Sequence, residues 1–232
     1  MARSAEEEFR RLRNAARSCK ACALWQHATQ TVFGEGPANA RLMLIGEQPG
    51  DQEDVQGHPF VGPAGQLLDR ALIDAGVDRR RVFVTNVVKH FKWQLRGKRR
   101  LHKKPLQREI AACYTWLERE IELVKPQLIV CLGATAAGAL LGSKFRVSMQ
   151  RGQLVKSDLA PQVFATIHPS AILRLAGDGE RETAYRRFVA DLKLIPGLLS
   201  ASPHPTEHTC PSAGSRRLRL EVSLPSCVFR PL

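Results

Sequence analysis

Four short apolar runs punctuate the chain: Arg41-Leu42-Met43-Leu44-Ile45, Val82-Phe83-Val84-Thr85, Gln127-Leu128-Ile129-Val130-Cys131-Leu132 and Val163-Phe164-Ala165-Thr166-Ile167. Their length and their lack of polar alternation predict strands buried on both faces. Between the runs, apolar residues recur every three or four positions. The spacing predicts a helix over 65–73 and another over 106–124 through Leu106, Ile110, Cys113, Leu117, Ile121 and Val124. A small-residue helix is expected over 133–141. A short helix with Leu173 and Arg174 follows the fourth run, then a longer one over about 181–194. Ser4, with Glu7 three residues on, predicts a capped, charged helix that ends near Ser18. Gln153-Leu154-Val155 reads as a weak strand. Strands alternating with helices imply an α/β fold, a three-layer αβα arrangement around a central four-stranded, mainly parallel sheet.

Polar clusters fall just after the strands. Gly46-Glu47-Gln48-Pro49-Gly50-Asp51 follows the first, Asn86 the second, and His168-Pro169-Ser170 the fourth. In a parallel sheet those ends share one edge, where α/β proteins bind ligands. From Ser200 onward Pro, Gly, Ser and Thr crowd the chain without periodicity. The expected division is a folded domain over 1–199 and a disordered tail over 200–232.

Charge sharpens the picture. Lys and Arg total 35 against 22 acids, a net charge of +13, which favours a polyanionic partner, nucleic acid ahead of an acidic membrane surface. Residues 79–108 hold twelve Lys or Arg and no acid, a pattern suited to phosphate contact. Within it, Lys98-Arg99-Arg100-Leu101-His102-Lys103-Lys104 reads as a loop between Gly97 and Pro105. No apolar run is long enough to span a bilayer, and residues 1–17 carry no apolar signal core. A monomer in the cytoplasm is expected, associated with the nucleoid if the source is bacterial.

Six cysteines in such a chain suggest metal or cluster ligation more than disulfides. Cys19-Lys20-Ala21-Cys22 has three readings: half of a metal or iron–sulfur site, a redox pair, or coincidence. No strand precedes it, which favours half a site. On the residues alone Cys113 and Cys131 read as core thiols. Cys210 and Cys227 lie in the tail and are not counted as ligands.

These residues resemble the uracil-DNA glycosylase superfamily. Gly46-Glu47-Gln48-Pro49-Gly50 with Pro59-Phe60-Val61-Gly62 looks like its first motif, and His168-Pro169-Ser170 through Arg174 looks like its last. Val84-Thr85-Asn86-Val87-Val88-Lys89 lies where the iron–sulfur branch carries its uracil-reading Asn. Gln48 and the basic segment Lys98-Arg99-Arg100-Leu101-His102 are most similar to the UdgX type, with Leu101 where that type has Ile. The resemblance implies uracil excision from DNA, single-stranded or flipped out of duplex, followed by a covalent link between His102 and the abasic sugar. It implies Phe60, Asn86 and His168 as uracil contacts, and Glu47, Gln48 and Asp51 as further catalytic candidates that the sequence does not rank. Lys98, Arg99, Arg100, Lys103, Lys104, Ser170 and Arg174 become DNA contacts. Cys19, Cys22 and Cys113, with His90 where ordinary members have Cys, become ligands of a 4Fe-4S cluster, with zinc as the alternative. Two rival functions stay open: a turnover uracil-DNA glycosylase, and a non-catalytic metal-containing DNA-binding protein. His27, His58, His204 and His208 read as ordinary polar residues.

Overall fold

The computed structural model describes residues 4–201. The expected tail over 200–232 lies outside the described residues, except that Ser200 and Ala201 continue the last helix. Six strands form among the described residues: β1 (Leu42–Gly46), β2 (Val82–Asn86), β3 (Trp93–Arg96), β4 (Arg99–His102), β5 (Leu128–Leu132) and β6 (Gln162–Thr166). Around them lie α1 (Ala5–Ala16), α2 (Asp51–Gln56), α3 (Pro63–Asp74), α4 (Gln107–Val124), α5 (Ala134–Leu141), α6 (Val147–Gln150), α7 (Pro169–Leu173), α8 (Asp178–Leu192) and α9 (Leu194–Ala201). The four apolar runs pair into one parallel sheet in the order β2-β1-β5-β6.

Alternation along each strand sorts the core into two layers. Met43, Ile45, Phe83, Ile129, Cys131, Val163 and Ala165 pack with residues of α1, α4, α5 and α6. Leu42, Leu44, Val82, Val84, Leu128, Val130 and Phe164 pack with α3, α7, α8 and α9. The sheet is therefore covered on both faces, the three-layer α/β fold. Sequential crossovers leave β1 and β5 side by side at the centre, although β2 lies between them in the chain. Their carboxyl ends form the crevice in which ligands of such sheets are held.

Local expectations differ from the structure at three places. Residues 98–104 are a loop only at Lys98 and at Lys103-Lys104: Arg99–His102 form β4, which pairs with β3 in an antiparallel hairpin whose two-residue turn, Gly97-Lys98, has Gly97 at φ +61°. Glycine tolerates that conformation, and a Gly-first pair is a favoured hairpin turn. Charge on both strands hides the alternation. The stretch after Gly50 holds helix α2, too short to show a period, with Asp51, Glu53 and Asp54 in its first turn where the helix dipole favours acids. Gln153-Leu154-Val155 contributes a single antiparallel bridge, Val155 to Val163, rather than a strand.

Candidate active site

The cleft starts from a glycine. Gly46 ends β1 opposite Asn86, the end of β2. A Cβ on Gly46 would lie 2.4 Å from Asn86 Oδ1, 2.8 Å from Phe60 Cζ and 3.5 Å from His168 Nε2. Three side chains from three segments thus converge over a position that only hydrogen can fill. Phe60 adopts φ +60°, the left-handed region that a side chain enters at a cost. Gly65 accommodates it, since a Cβ there would sit 1.7 Å from the Phe60 carbonyl oxygen. The Phe60 and His168 rings lie 6.2 Å apart and 27° from parallel, leaving two flat walls. Glu47, Gln48, Asp51, His102, Lys104, Thr135, Ser170 and Arg174 complete the lining of a cavity of about 750 Å³.

His168 is held by its own turn. The Ser170 backbone N–H donates to Nδ1 at 3.1 Å, and Arg174 Nη1 donates to Ser170 Oγ at 3.0 Å. An Nδ1 that accepts cannot carry the proton of a neutral imidazole, so that proton sits on Nε2, the atom nearest the Gly46 floor. Burial pushes the His168 pKa down to about 4, Glu47 opposing and Arg174 and His102 reinforcing. A neutral imidazole here presents an N–H donor, the arrangement that stabilises charge developing on a carbonyl oxygen.

Glu47 gathers a second group. Thr135 Oγ1 donates to its Oε2, and His102 Nε2 lies 3.2 Å from its Oε1. Burial pushes the Glu47 carboxyl up, but the bonds from His102 and Thr135 outweigh it and hold the group below the usual carboxylate range. Thr135 was not a sequence candidate. It lies just after the end of β5, on the edge that carries the other site residues, but its small-residue helix offers no polar motif.

The hairpin delivers His102. In the antiparallel register Trp93 faces His102 and Leu95 faces Arg100, so these four share the hairpin's inner side. Gln48 is buried and pins the hairpin's base, donating through Nε2 to the Lys92 and Lys103 carbonyls at 3.1 Å each. That amide therefore positions backbone. Arg100 departs from its expected role as a phosphate contact. Its Nε meets Asp51 Oδ1 and its Nη1 meets Asp54 Oδ2, both at 2.6 Å, and the guanidinium lies 5.5 Å from the Phe91 and Trp93 rings. Asp51, a catalytic candidate, thus has one oxygen engaged in this latch. Of the twelve cations in 79–108, Arg79, Arg80, Lys89, Lys92 and Arg100 are paired by acids that lie outside that window. Lys98, Arg99, Lys103, Lys104 and Arg174 are exposed.

Comparison with known proteins agrees with this architecture. Residues 33–193 match the model of the Uracil DNA glycosylase superfamily. The chain belongs to that superfamily. It is 36% identical to a type-4 uracil-DNA glycosylase of Thermotoga maritima, over 75% of this chain and 85% of the relative. A type-4 uracil-DNA glycosylase of Sulfurisphaera tokodaii is 38% identical over 67% of this chain and 71% of its own. A type-5 uracil-DNA glycosylase of Pyrobaculum aerophilum is 29% identical over 72% of this chain and 79% of its own.

Within this uracil-DNA glycosylase fold, two of the four expected metal donors, Cys22 and Cys113, pack in the core layer of α1 and α4. Trp116 Nε1 donates to Cys19 Sγ at 3.1 Å, and the Lys89 N–H donates to Cys113 Sγ at 3.2 Å. Trp116 and Cys113 are both on α4, three residues apart, so one helix face meets Cys19 and carries Cys113. Burial pushes the Cys113 thiol up to about 11, Lys89 opposing, with Cys22 and Cys19 adding in the same direction as burial. Among the described residues, no three His, Cys, Asp or Glu already stand close enough to hold a metal ion. The donor set fits one in its chemistry: three thiols and His90, whose buried Nδ1 has no hydrogen-bond partner.

Behind the cleft, Lys89 is 1% exposed and Glu120 is fully buried. Lys89 Nζ donates to Glu120 Oε2 at 2.6 Å, to Thr85 Oγ1 at 2.7 Å and to the Asn86 carbonyl at 2.7 Å. Asn86 is thereby fixed from its backbone side. The sequence placed Lys89 in a basic window; its partner, 31 residues away on α4, was not visible there.

Proposed function

We propose that the chain excises uracil from DNA and ends covalently joined to the abasic sugar through His102. The observation that carries this reading is His102 Nε2 at 3.2 Å from Glu47 Oε1, lining the same cavity as Asn86, Phe60 and His168. The superfamily match and the type-4 relatives support uracil in DNA as the substrate.

A base inside a duplex stack is beyond reach of such a cleft, so the nucleotide enters flipped out or from a single strand. Phe60 offers a face for the pyrimidine. The Asn86 amide pairs with a donor and an acceptor on the uracil edge, which cytosine presents in the opposite sense. As the glycosidic bond breaks, its electron pair goes to the base, and the His168 Nε2–H donates to the carbonyl oxygen that gains charge. The anionic Glu47 faces the sugar as it takes on oxocarbenium character. Glu47 Oε1 takes the Nε2 proton of the neutral His102 imidazole, and the electron pair so freed bonds to the anomeric carbon as uracil leaves as its anion. Lys98 and Arg99 on the hairpin, Lys103 and Lys104 just after it, Ser170 on α7 and Arg174 at its end hold the flanking phosphates.

Cys19, Cys22, His90 and Cys113 are the residues that would hold a 4Fe-4S cluster, or zinc with the same ligands. Such a group supplies a structural cross-link between the segment after α1 and helix α4, since base excision needs no electron transfer. Visible absorbance of the purified protein separates cluster from zinc. A monomer in the cytoplasm, near the nucleoid in a bacterium, suits this substrate.

The test is a labelled oligonucleotide with one uracil, incubated with wild type and with His102→Ala and run on a denaturing gel. A retarded band that survives denaturation and is lost in the variant supports trapping. The type-4 relatives favour a second reading, a turnover glycosylase, which predicts free abasic product and no retarded band. Intact uracil would overturn both and leave a DNA-binding protein.

A further inference from the structure

We infer that Thr31 fixes the tautomer of His90, so that Nδ1 is the nitrogen left to ligate a metal; the inference rests on the ligand set proposed above. A hydroxyl has one proton to give. Thr31 Oγ1 donates it to the Ala16 carbonyl at 2.9 Å. The same oxygen lies 3.1 Å from His90 Nε2. With its proton committed to a carbonyl, which only accepts, Oγ1 can only accept from the ring. The Nε2 atom therefore carries the hydrogen, and a neutral imidazole has its lone pair on Nδ1. That atom is buried and has no hydrogen-bond partner among the described residues.

The relay also reaches a second donor. Ala16 ends α1, and its carbonyl accepts the Cys19 N–H at 3.0 Å as well as the Thr31 hydroxyl. One carbonyl thus ties the start of the C-x-x-C segment to the orientation of the imidazole. On the other side, the Lys89 N–H bond to Cys113 Sγ places His90 next in the chain to a contact with that thiol. A ligating histidine whose other ring N–H is held by an oxygen is the arrangement that fixes its orientation and raises its basicity. Thr31 is a positioning residue here, acting on the metal through His90.

The experiment compares wild type, Thr31→Val, Thr31→Ser, His90→Cys and the double variant Thr31→Val/His90→Cys as isolated full-length proteins. Each is challenged anaerobically with an iron chelator while visible absorbance and bound iron are followed. Thr31→Val keeps the shape and loses the acceptor, and it should release iron about 10-fold faster or more, the usual scale for losing such a partner. Thr31→Ser should behave as wild type. Where His90→Cys removes the imidazole, adding Thr31→Val should change nothing further. Equal release from wild type and Thr31→Val would overturn the inference. So would an equal acceleration in both backgrounds, because Thr31 would then act by packing alone. A wild-type protein that holds neither iron and sulfide nor zinc would overturn the metal-site reading itself, and with it this one.

Discussion

Gly46 and Thr135 show how single residues set the chemistry. A methyl at Gly46 would occupy the space shared by Asn86 Oδ1 and Phe60 Cζ. Gly46→Ala should slow excision about 100-fold, the scale of displacing reacting groups by an ångström, with a stability loss of about 1–3 kcal/mol. Single-turnover assays and urea unfolding check the two effects separately. Thr135→Val removes a donor to an anionic carboxylate. Such bonds are worth about 1.5–3 kcal/mol, so excision should fall about 10-fold or more. The Glu47 carboxyl would rise, so the acid limb of the pH–rate profile should move to higher pH. Glu47, Asn86 and His168 were legible in the sequence because each directly follows a strand that announces itself. Thr135 was not, since its role arises only where Glu47 Oε2 meets it, 88 residues away in the chain.

The hairpin is the element that distinguishes this cleft. Its outer face carries Arg96 and Arg99, and its inner face sends Arg100 to α2 and His102 to Glu47. The two arginines therefore have different tasks despite being neighbours. Arg99→Ala should lower the salt slope of DNA binding by about 1, as expected for one lost phosphate contact. Arg100→Ala should leave that slope near wild type and reduce adduct formation about 100-fold, because His102 loses its placement. Binding titrations over a range of salt, run beside the denaturing gel, separate the two. Arg100→Lys should not rescue, since an ammonium cannot engage Asp51 and Asp54 and stack on Phe91 and Trp93 together. The sequence showed the charge of this segment but not its direction. A hairpin's inside and outside follow from register, and here basic residues occupy both.

At the scale of the whole molecule, two features link the site to stability. Lys89, three residues after β2, and Glu120 on α4 form a buried pair, and Glu120→Gln should cost about 3–5 kcal/mol, read from urea unfolding. His168 gives a pH dependence of defined sign. Its folded pKa, about 4, lies below its ordinary value of 6.5, so the unfolded chain takes up a proton that the folded chain refuses. Stability should therefore fall as pH drops from about 6.5 to 4, by on the order of 3 kcal/mol from this group. The depressed Glu47 carboxyl adds a loss in the same direction at lower pH. His168→Asn should flatten the fall between pH 7 and 5. The amino-acid sequence by itself determined the four core strands, the longer helices between them and the edge that bears the polar clusters. Burial on both faces writes those elements as local apolar patterns, which need no knowledge of partners. Tertiary structure alone decided that Arg100 is a latch, that Gln48 holds backbone, that Lys89 supports Asn86, and which His90 nitrogen faces no partner. Each of these depends on a partner distant in the chain, Glu120 in the case of Lys89, and no local pattern encodes that partner.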